Sequence, residues 1–480
     1  MKKGNAYLTV YLALCITLIL SLYLVLIDGA RRGGAALEAT CAAETGMQNI
    51  MAEYHRELLN QFNLFAIDSS YGTNICGKKN TEAHLMEYLK KNLSTDDVFL
   101  GTYLYRDFFG LRADDAELTG VSILTDGGGA VFRSMAIEAI RDDVGLSLLD
   151  EVQEWMSVVE VNGLSNTDYE GERQRLDNVL EEYDGKEVQI SETETVCLEV
   201  ENPAAQLNAK RGLGILHLVT KDEQSLSDKA IDSTGLVGSR MSQGNINSGN
   251  MNVSPSDDLW DRILFHEYLL RYLECYGSDE KGGALDYQIE YLIAGKNYDT
   301  DNLQSVANRL SAIREAANVI YLLTDQEKNL EIHEAAVLTC GFIALPELIP
   351  VVEAVILFGW AYAESLYDVK TLMSGGKVPL MKDKGSWHYD LESALYGNGD
   401  EDVGEGNGLT YQDYLRILLI LTDLDTLTVR AMNMVEADIR LTPGNSCFRL
   451  DACYAEVEAV IEISSSFGYK YELRRKRAYQ

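Results

Sequence analysis

Two short clusters of oxygen-bearing side chains are the residues in this sequence whose types and spacing best fit a chemical site. Asp68-Ser69-Ser70-Tyr71-Gly72 places a carboxylate two residues before a hydroxyl, and Thr125-Asp126-Gly127 repeats the pairing of acid and hydroxyl further along the chain. Carboxylate and hydroxyl oxygens are the hard ligands that Mg²⁺ and Ca²⁺ take. If the fold brings the clusters together, Asp68, Ser70 and Asp126 are candidate ligands of one divalent cation.

These clusters resemble a metal-dependent adhesion site of the von Willebrand factor A type, which has an Asp-x-Ser-x-Ser loop and a later Thr-Asp-Gly. Gly72 stands where that loop has its second serine, so one hydroxyl ligand is missing. The residues before Asp68 also fit the end of a helix better than a central strand. We therefore predict no metal site, and a degenerate cation-dependent binding module remains the alternative.

Other residues that carry enzyme chemistry are dispersed along the chain. The 6 histidines form no HExxH pair, and neither a GxSxG elbow nor a CxxC cluster is present. The acid-rich loop Gly397 to Gly408 lacks the spacing of an EF-hand. We predict a non-enzymatic protein that needs no cofactor, and we identify no small-molecule substrate.

The charge balance excludes a class of partner. The chain has 41 Lys and Arg residues against 75 Asp and Glu residues, a formal net charge of −34. Phosphate backbones would be repelled, so we predict no nucleic-acid partner. The one dense basic stretch, Arg474 to Arg477, is predicted to end a solvated strand or to pair with the acidic body.

The sequence does not decide whether two cysteines near the C-terminus form a disulfide or are free thiols. Cys447 and Cys453 are close enough in sequence for a local disulfide if the head lies outside the cytoplasm. Buried free thiols fit the pattern equally well.

An apolar run near the N-terminus decides where the rest of the chain works. Gly4 to Ile27 has no charged residue and would form a helix of roughly 36 Å, long enough to cross a hydrocarbon core of about 30 Å. It exceeds the apolar region of about 7 to 15 residues in a secretory signal and lacks an A-x-A-like cleavage site. We predict an uncleaved single-pass anchor in the lipid bilayer. Its anchor and assembly residues are Tyr7, Val10, Leu14, Leu18, Leu22, Leu26, Arg31 and Arg32.

The charges that flank the run do not settle its orientation. Lys2 and Lys3 favour a cytoplasmic N-terminus, whereas Arg31 and Arg32 favour the opposite orientation.

Periodicity and composition predict a mainly helical α+β protein with a long N-terminal transmembrane and stalk helix. The large head is predicted to contain a small antiparallel sheet that includes a C-terminal hairpin and a strand at 118–125. The apolar stretch 335–363 is divided by acids and prolines, so we expect buried head helices there. The predicted segments are the cytoplasmic tip and transmembrane helix 1–27, the amphipathic stalk helix 28–66, the α+β first part of the head 67–232, a flexible Ser/Gly/Asn loop 233–256, the helical part 257–442 and the completing hairpin 443–480.

The N-terminus combines Lys3-Gly4-Asn5-Ala6-Tyr7-Leu8-Thr9-Val10, the apolar run, and Asp28-Gly29-Ala30-Arg31 before an alanine-rich helix. In these features it resembles TadE/TadG-type proteins, pseudopilin-like components of tight-adherence (Flp) pilus machines. A second similarity is carried by the segments 212–216, 228–232, 239–240, 287–296 with 302–303, 314–318 and 375–380. In these segments the chain is similar to an uncharacterised family encoded with such machines in Gram-positive bacteria.

These resemblances imply a bacterial cell-membrane protein with a cytoplasmic N-terminus and an extracytoplasmic head that takes part in pilus assembly or adhesion. They imply other pilus or secretion-machine membrane subunits as partners. Pilins cut by prepilin peptidase have a glutamate five residues after the cut glycine, and counting from Gly4 that position is Thr9. We therefore expect the leader to be retained and the role to be that of a minor pseudopilin or assembly accessory.

Overall fold

A computed structural model describes residues 4–93, 109–165, 169–191, 194–197, 200, 202–212, 214–220, 226–251, 258–278, 282–343, 346–397 and 404–479. It confirms a predominantly helical α+β fold with a small antiparallel sheet. The chain forms two compact units. Unit 1 comprises Met1–Ala139, Leu236–Ser256 and Val435–Gln480, and unit 2 comprises Ile140–Gly235 and Asp257–Met434.

The helices are numbered in chain order. They are α1 Gly4–Met51, α2 Arg56–Phe62, α3 Lys78–Leu93, α4 Asp126–Ile140, α5 Leu146–Val161, α6 Tyr169–Tyr183, α7 Ala205–Arg211, α8 Ile215–Val219, α9 Val237–Ser242, α10 Leu259–Tyr272, α11 Gln288–Ala294, α12 Asp299–Thr324, α13 Gln326–Ile343, α14 Ile349–Met373, α15 Leu391–Tyr396, α16 Tyr411–Leu421 and α17 Leu424–Leu441. The strands are β1 Ile67–Asp68, β2 Leu111–Ile123, β3 Glu187–Ser191, β4 Glu194–Cys197, β5 Cys453–Ser465 and β6 Lys470–Ala478.

Strand β5 is the centre of the sheet in unit 1. It pairs antiparallel with β2 along one edge, and with β1 and then β6 along the other. Alternate residues of β5, Val457, Ala459, Ile461 and Ile463, are fully buried, as the period of two predicts. The predicted C-terminal hairpin and its place beside the 118–125 strand are confirmed, although that strand begins earlier, at Leu111.

The predicted stalk helix 28–66 is wrong in length and in role. Helix α1 ends at Met51, and the chain then turns so that Tyr54 bridges to Ile67 before α2 begins. His55 caps α2 by accepting a hydrogen bond from Leu58 N at 3.2 Å. The apolar positions of α1 from Ala35 to Ile50 do form a stripe, but they are buried in the core with the sheet and α3. The stretch after the apolar run is therefore part of the head.

Helices α12 and α14 form the core of unit 2. Apolar residues recur every three or four positions between Asp301 and Leu323, which predicts a helix opened by Asp301 with Gln304 as its capping partner. Burial of Leu303, Val306, Leu310 and Ile313 on α12 confirms the helix, but its predicted start is wrong. The helix begins at Asp299, whose carboxylate accepts hydrogen bonds from Asp286 N, Tyr287 N and the Ser227 hydroxyl, whereas the Gln304 amide contacts Asn308.

The remaining predictions about helices need smaller adjustments. The stretch 335–363 is divided at Pro346 into α13 and α14, and Val352, Ile356 and Trp360 of α14 are fully buried in unit 2, as expected for head helices. The stretch 150–201 is acidic, and its composition predicts weakly helical structure. It contains most of α5 and all of α6, and also a two-stranded hairpin of β3 and β4.

Candidate functional site

The apolar surface of α1 faces away from the protein. Tyr7, Val10, Leu14, Leu18, Leu22 and Leu26 are 58% to 79% exposed. Within the described residues, the helices Tyr7–Met51 and Ile349–Met373 are long and apolar enough to cross a membrane. The most apolar window of the first is 0% buried, whereas that of the second is 56% buried. Helix α1 is therefore a candidate membrane span.

The residues just beyond the apolar run meet the turn between β5 and β6. The guanidinium carbon of Arg31 lies 4.0 Å from the centre of the Phe467 ring. The Tyr469 hydroxyl donates to the Asp28 carboxylate, and the Tyr471 hydroxyl donates to the main-chain oxygen of Arg32 at 3.1 Å. The hydrogen bond with Asp28 raises the pKa of Tyr469. The predicted anchor arginines thus join the helix to the head.

In the first predicted ligand cluster, the acid and the hydroxyl are hydrogen-bonded to each other. Asp68 ends β1, and its two carboxylate oxygens accept hydrogen bonds from Ser70, at 2.9 Å from the main-chain nitrogen and 2.8 Å from the hydroxyl. Asp68 and Ser70 are both buried. This arrangement is an aspartate turn that satisfies its own backbone, as is common for Asp before a serine.

The second cluster begins a helix. Gly127, Gly128 and Gly129 all have left-handed backbone angles, with φ of 63°, 69° and 92°, a run that side chains would strain. Asp126 accepts hydrogen bonds from Ile123 N at 2.7 Å and from Gly249 N at 2.8 Å. The Thr125 hydroxyl is buried without a hydrogen-bond partner among the described residues.

Strand β5 brings the two clusters to the same end of the sheet. Cys453 pairs with Asp68 of β1 on one side, and its main-chain oxygen accepts from Leu124 N at 3.1 Å on the other. Neighbouring strands are about 4.8 Å apart, so the two backbones lie roughly 10 Å apart across β5. Each carboxylate is already hydrogen-bonded within unit 1. Within the described ranges, no group of three or more His, Cys, Asp or Glu side chains has a metal-binding arrangement.

A buried charge cluster in unit 1 was missed by the sequence analysis. Arg240 of α9 donates to both oxygens of Glu436, at 2.8 and 2.7 Å, and to Asp451 at 2.6 Å. The side chains of Glu436 and Asp451 are 0% exposed. Arg440 and Arg449 complete the cluster, each 2.6 Å from one of these carboxylates. We call these five residues the Arg240 cluster.

The segment 233–256 was predicted to be a flexible loop, and this prediction is wrong for the residues of the segment that the structure describes. This segment contains α9, and beyond it Asn247 N donates to Asp451 at 3.2 Å. Asn250 then pairs with the edge of β2: its side-chain oxygen accepts from Val121 N and its own main-chain nitrogen donates to Val121 O. Charge pairing and backbone hydrogen bonds hold the segment. Its composition gave no sign of them, apart from the isolated charge of Arg240.

The Arg240 cluster also changes the acidity of one of its members. Burial alone would raise the pKa of Asp451, but hydrogen bonds from Arg449 and the positive charge of Arg240 hold that pKa below its usual value. The carboxylate is therefore ionised and compensated at neutral pH.

Unit 2 has its own buried charge centre. Arg314 donates to Asp368 at 3.0 Å, to Leu380 O at 2.7 Å and to the Tyr414 hydroxyl at 3.0 Å. Lys382 contacts both Glu364 and Asp368 at 2.7 Å. The charged side chains of this centre are at most 2% exposed. Each positive group has an acidic partner, so the centre fits a structural role.

A further acidic group in unit 2 is buried and has no positive partner among the residues that the structure describes. Glu290 of α11 accepts hydrogen bonds at one oxygen from Tyr276 N at 2.9 Å and from the Tyr411 hydroxyl at 2.7 Å. Its other oxygen is buried and has no hydrogen-bond partner among the described residues. Burial raises the pKa of Glu290 to about 7, so the group carries a proton over much of the acidic range.

The basic stretch Arg474 to Arg477 pairs with acids, as predicted. Arg475 and Arg477 both contact Glu44 of α1, and Lys476 lies 2.5 Å from Glu456. Of the acid-rich loop Gly397 to Gly408, residues 398–403 lie outside the described residues.

Cys447 and Cys453 are free thiols rather than a disulfide pair. Cys453 is buried, and its thiol donates to Arg449 O at 3.4 Å. Burial raises the pKa of this thiol well above its usual value, which keeps it protonated and unreactive.

Fold and site define a predominantly helical α+β protein with a candidate N-terminal membrane span and buried charge centres in its head. Residues 194–465 match DUF5702, a family of unknown function. Since the match covers more than half of the chain, the protein belongs to this family. The matched region includes the Arg240 cluster and the charge centre of unit 2. Searches of curated proteins and of solved structures found no match.

Proposed function

We propose that this protein is a membrane-anchored, non-enzymatic component of a Tad/Flp-type pilus or surface-adhesion assembly. In this proposal it acts in the bacterial cell membrane as a minor pseudopilin or assembly accessory, with its N-terminus in the cytoplasm and its head outside. One observation carries the proposal. The exposed apolar helix that resembles TadE/TadG-type proteins continues without a break into the core of unit 1, where Ala35, Ala39 and Ala43 are fully buried.

This continuity gives the helix a mechanical role. A lateral contact made within the bilayer would be transmitted to the head through one continuous helix, because α1 packs on the sheet and α3 rather than ending in a linker. Helices associate in lipid through close packing, for which small residues such as Ala6, Ala13 and Ser21 leave room. The partners expected from the resemblance are other membrane subunits of the pilus or secretion machine.

Exchange of the anchor tests the role of the membrane helix. We expect a chain in which Gly4 to Ile27 is replaced by a cleavable secretory signal to release a folded, soluble head, since the apolar residues of α14 are buried inside unit 2. In a strain that lacks the native gene, the anchored chain should restore surface pili or adhesion and the released head should not. Restoration by the soluble head would contradict the proposal, as would normal piliation of the deletion strain.

The alternative function is a cation-dependent binding module that resembles a degenerate von Willebrand factor A site. The observation in its favour is that β5 brings Asp68 and the segment that leads into Asp126 to one end of the sheet, where the buried Thr125 hydroxyl has no hydrogen-bond partner within the described part of the chain. Against it, all four carboxylate oxygens of Asp68 and Asp126 already accept hydrogen bonds.

Calorimetry separates the two functions. We expect titration of the protein with Ca²⁺ or Mg²⁺ to give no binding heat, because a cation would have to displace hydrogen bonds that hold both turns. Saturable binding that is lost in Asp68→Ala, and retained in a variant of an exposed acid such as Glu172→Ala, would support the binding module instead.

A further inference from the structure

The turn between β5 and β6 lies close to the end of the apolar run. Phe467 and Tyr469 of the turn, and Tyr471 just after it, contact α1 at residues 28–32 through the interactions described above. The head therefore reaches the helix immediately after Ile27, the last residue of the run, and not at the end of a stalk.

The depth of this contact follows from helix geometry. Arg31 is four residues beyond Ile27, which is roughly 6 Å along the helix axis. A bilayer is about 40–45 Å thick with its headgroups and about 30 Å without them, so each headgroup layer spans roughly 5–8 Å. If α1 crosses the membrane upright, the Phe467 ring lies at the depth of the headgroups.

The chemistry of the turn fits this depth. Aromatic residues concentrate at both membrane interfaces of spanning helices. Helix α1 has Tyr7 and Tyr11 near its first end, but beyond Tyr23, inside the apolar run, it contains no further aromatic residue. The head supplies aromatic rings just past the end of the run with Tyr469 and Tyr471 and with Phe467, which is 46% exposed.

Exposed positive charges accompany the aromatic rings. Arg32 and Lys470 are exposed beside the contact, whereas the chain as a whole has a net charge of −34. Phosphate groups of phospholipids are the anions that a spanning protein meets at this depth, and Lys and Arg near a membrane surface are attracted to them.

The turn is held in place before it meets any lipid. Ser466 N donates to Gly110 O at 2.8 Å, and the Ser465 hydroxyl donates to Phe109 O. Gly34 lets the Phe109 ring lie directly on α1, since a Cβ atom there would be 2.5 Å from the ring. The position of the turn against the helix is therefore preorganised.

We propose that the β5–β6 turn, with Arg32 and Lys470, is a second membrane contact that sits in the phospholipid headgroup layer and holds unit 1 directly on the bilayer. This inference rests on the part of the proposed function in which α1 spans the membrane. It is independent of whether the protein serves a pilus.

Quenching of tryptophan fluorescence by brominated lipids tests the contact. The full chain is reconstituted in vesicles of phosphatidylcholine and phosphatidylglycerol that carry bromine high on the acyl chains, or none. Two variants add one tryptophan each in unit 1, which has none of the 4 native ones: Phe467→Trp at the turn and Ile75→Trp as the matched control. Ile75 is 73% exposed and follows Tyr71, whose hydroxyl contacts Glu53 beyond the far end of α1.

We expect brominated lipid to remove most of the emission that Phe467→Trp adds over the wild-type chain, and none of that added by Ile75→Trp. If the protein floats with the vesicles but neither added tryptophan is quenched, the headgroup contact is wrong and the anchor stands. Equal quenching at both positions also overturns the contact, because the head would then meet lipid without orientation. Failure to float with the vesicles would overturn the anchor itself.

Discussion

Replacement of Arg240 by alanine should lower the free energy of unfolding of unit 1 by about 3 kcal/mol. The substitution leaves the carboxylates of Glu436 and Asp451 fully buried with one positive partner fewer each. Removal of one member of a buried ion pair usually costs about 3–5 kcal/mol. The lower end of that range applies, because Arg440 still contacts Glu436 and Arg449 still contacts Asp451.

Hydrogen exchange of the full chain in detergent micelles measures this effect where it is expected. Amides of β5 and β2 should exchange faster in Arg240→Ala, because Glu436 also accepts from Leu450 N directly before β5. Segments of unit 2, such as α12, provide an internal reference. An equal acceleration in both units would indicate general destabilisation and contradict the local explanation.

Two further variants separate loss of the charge from loss of the side chain. Arg474→Ala removes an arginine that is 69% exposed and 3.8 Å from Glu458, and we expect a change below about 1 kcal/mol. A triple variant, Arg240→Met with Glu436→Gln and Asp451→Asn, removes the buried carboxylate charges as well. It replaces the three most buried members of the cluster and leaves Arg440 and Arg449, which are 25% and 34% exposed and can be solvated. Because no uncompensated carboxylate stays buried, this variant should be more stable than Arg240→Ala. A triple variant that is less stable would refute the charge argument.

The parts of the fold that the sequence could predict are those that depend on local periodicity. The alternation in β5 and the three- and four-residue spacing in α12 each report which face of an element is buried, and both agree with the structure. The hairpin of β5 and β6 has a short turn containing Gly468, so its pairing is also a local property.

The errors arise where distant residues decide the structure. The spacing of apolar residues continues from α1 through Phe62 and so suggests one helix, but Tyr54 pairs with Ile67 and ends it. The segment around Arg240 has too few apolar residues to predict order from composition, and its partners Glu436 and Asp451 are about two hundred residues away in the chain. A single charge in an otherwise neutral polar stretch was the one available signal, and no local rule distinguishes it from a solvated arginine.

The same limit applies to the candidate cation site. Its residues were identified from type and spacing, and the sheet does place Asp68 on one side of Cys453 and Leu124, two residues before Asp126, on the other. Spacing alone could not show that Ser70 and Gly249 would satisfy these carboxylates, since the contact with Gly249 joins residues 123 positions apart.

Replacement of Glu290 by glutamine should make unit 2 more stable at pH 8 and almost unchanged at acidic pH. Burial raises the pKa of Glu290 from 4.5 to about 7, so the folded state binds a proton that the unfolded state has already lost between these values. In that window the stability of the wild-type protein falls as the pH rises, because folding requires uptake of the proton. The part of the free energy of unfolding that depends on protonation of Glu290 is fully present below about pH 4.5, and it is lost above about pH 7. The loss amounts to about 3 kcal/mol for a shift of this size.

A glutamine side chain is neutral at every pH in this range, so the stability of the variant does not fall as the pH rises. Its side-chain oxygen can accept the same hydrogen bonds from Tyr276 N and the Tyr411 hydroxyl. Denaturant unfolding followed by hydrogen exchange in α11 and α16 should show the gap between variant and wild type widening by about 3 kcal/mol from pH 4.5 to pH 8. The control is Glu172→Gln on α6, whose carboxylate is 56% exposed, and it should run parallel to the wild type at every pH. Parallel curves for Glu290→Gln would mean that Glu290 is ionised in the folded protein, and that a positive charge or water compensates the oxygen that has no partner among the described residues.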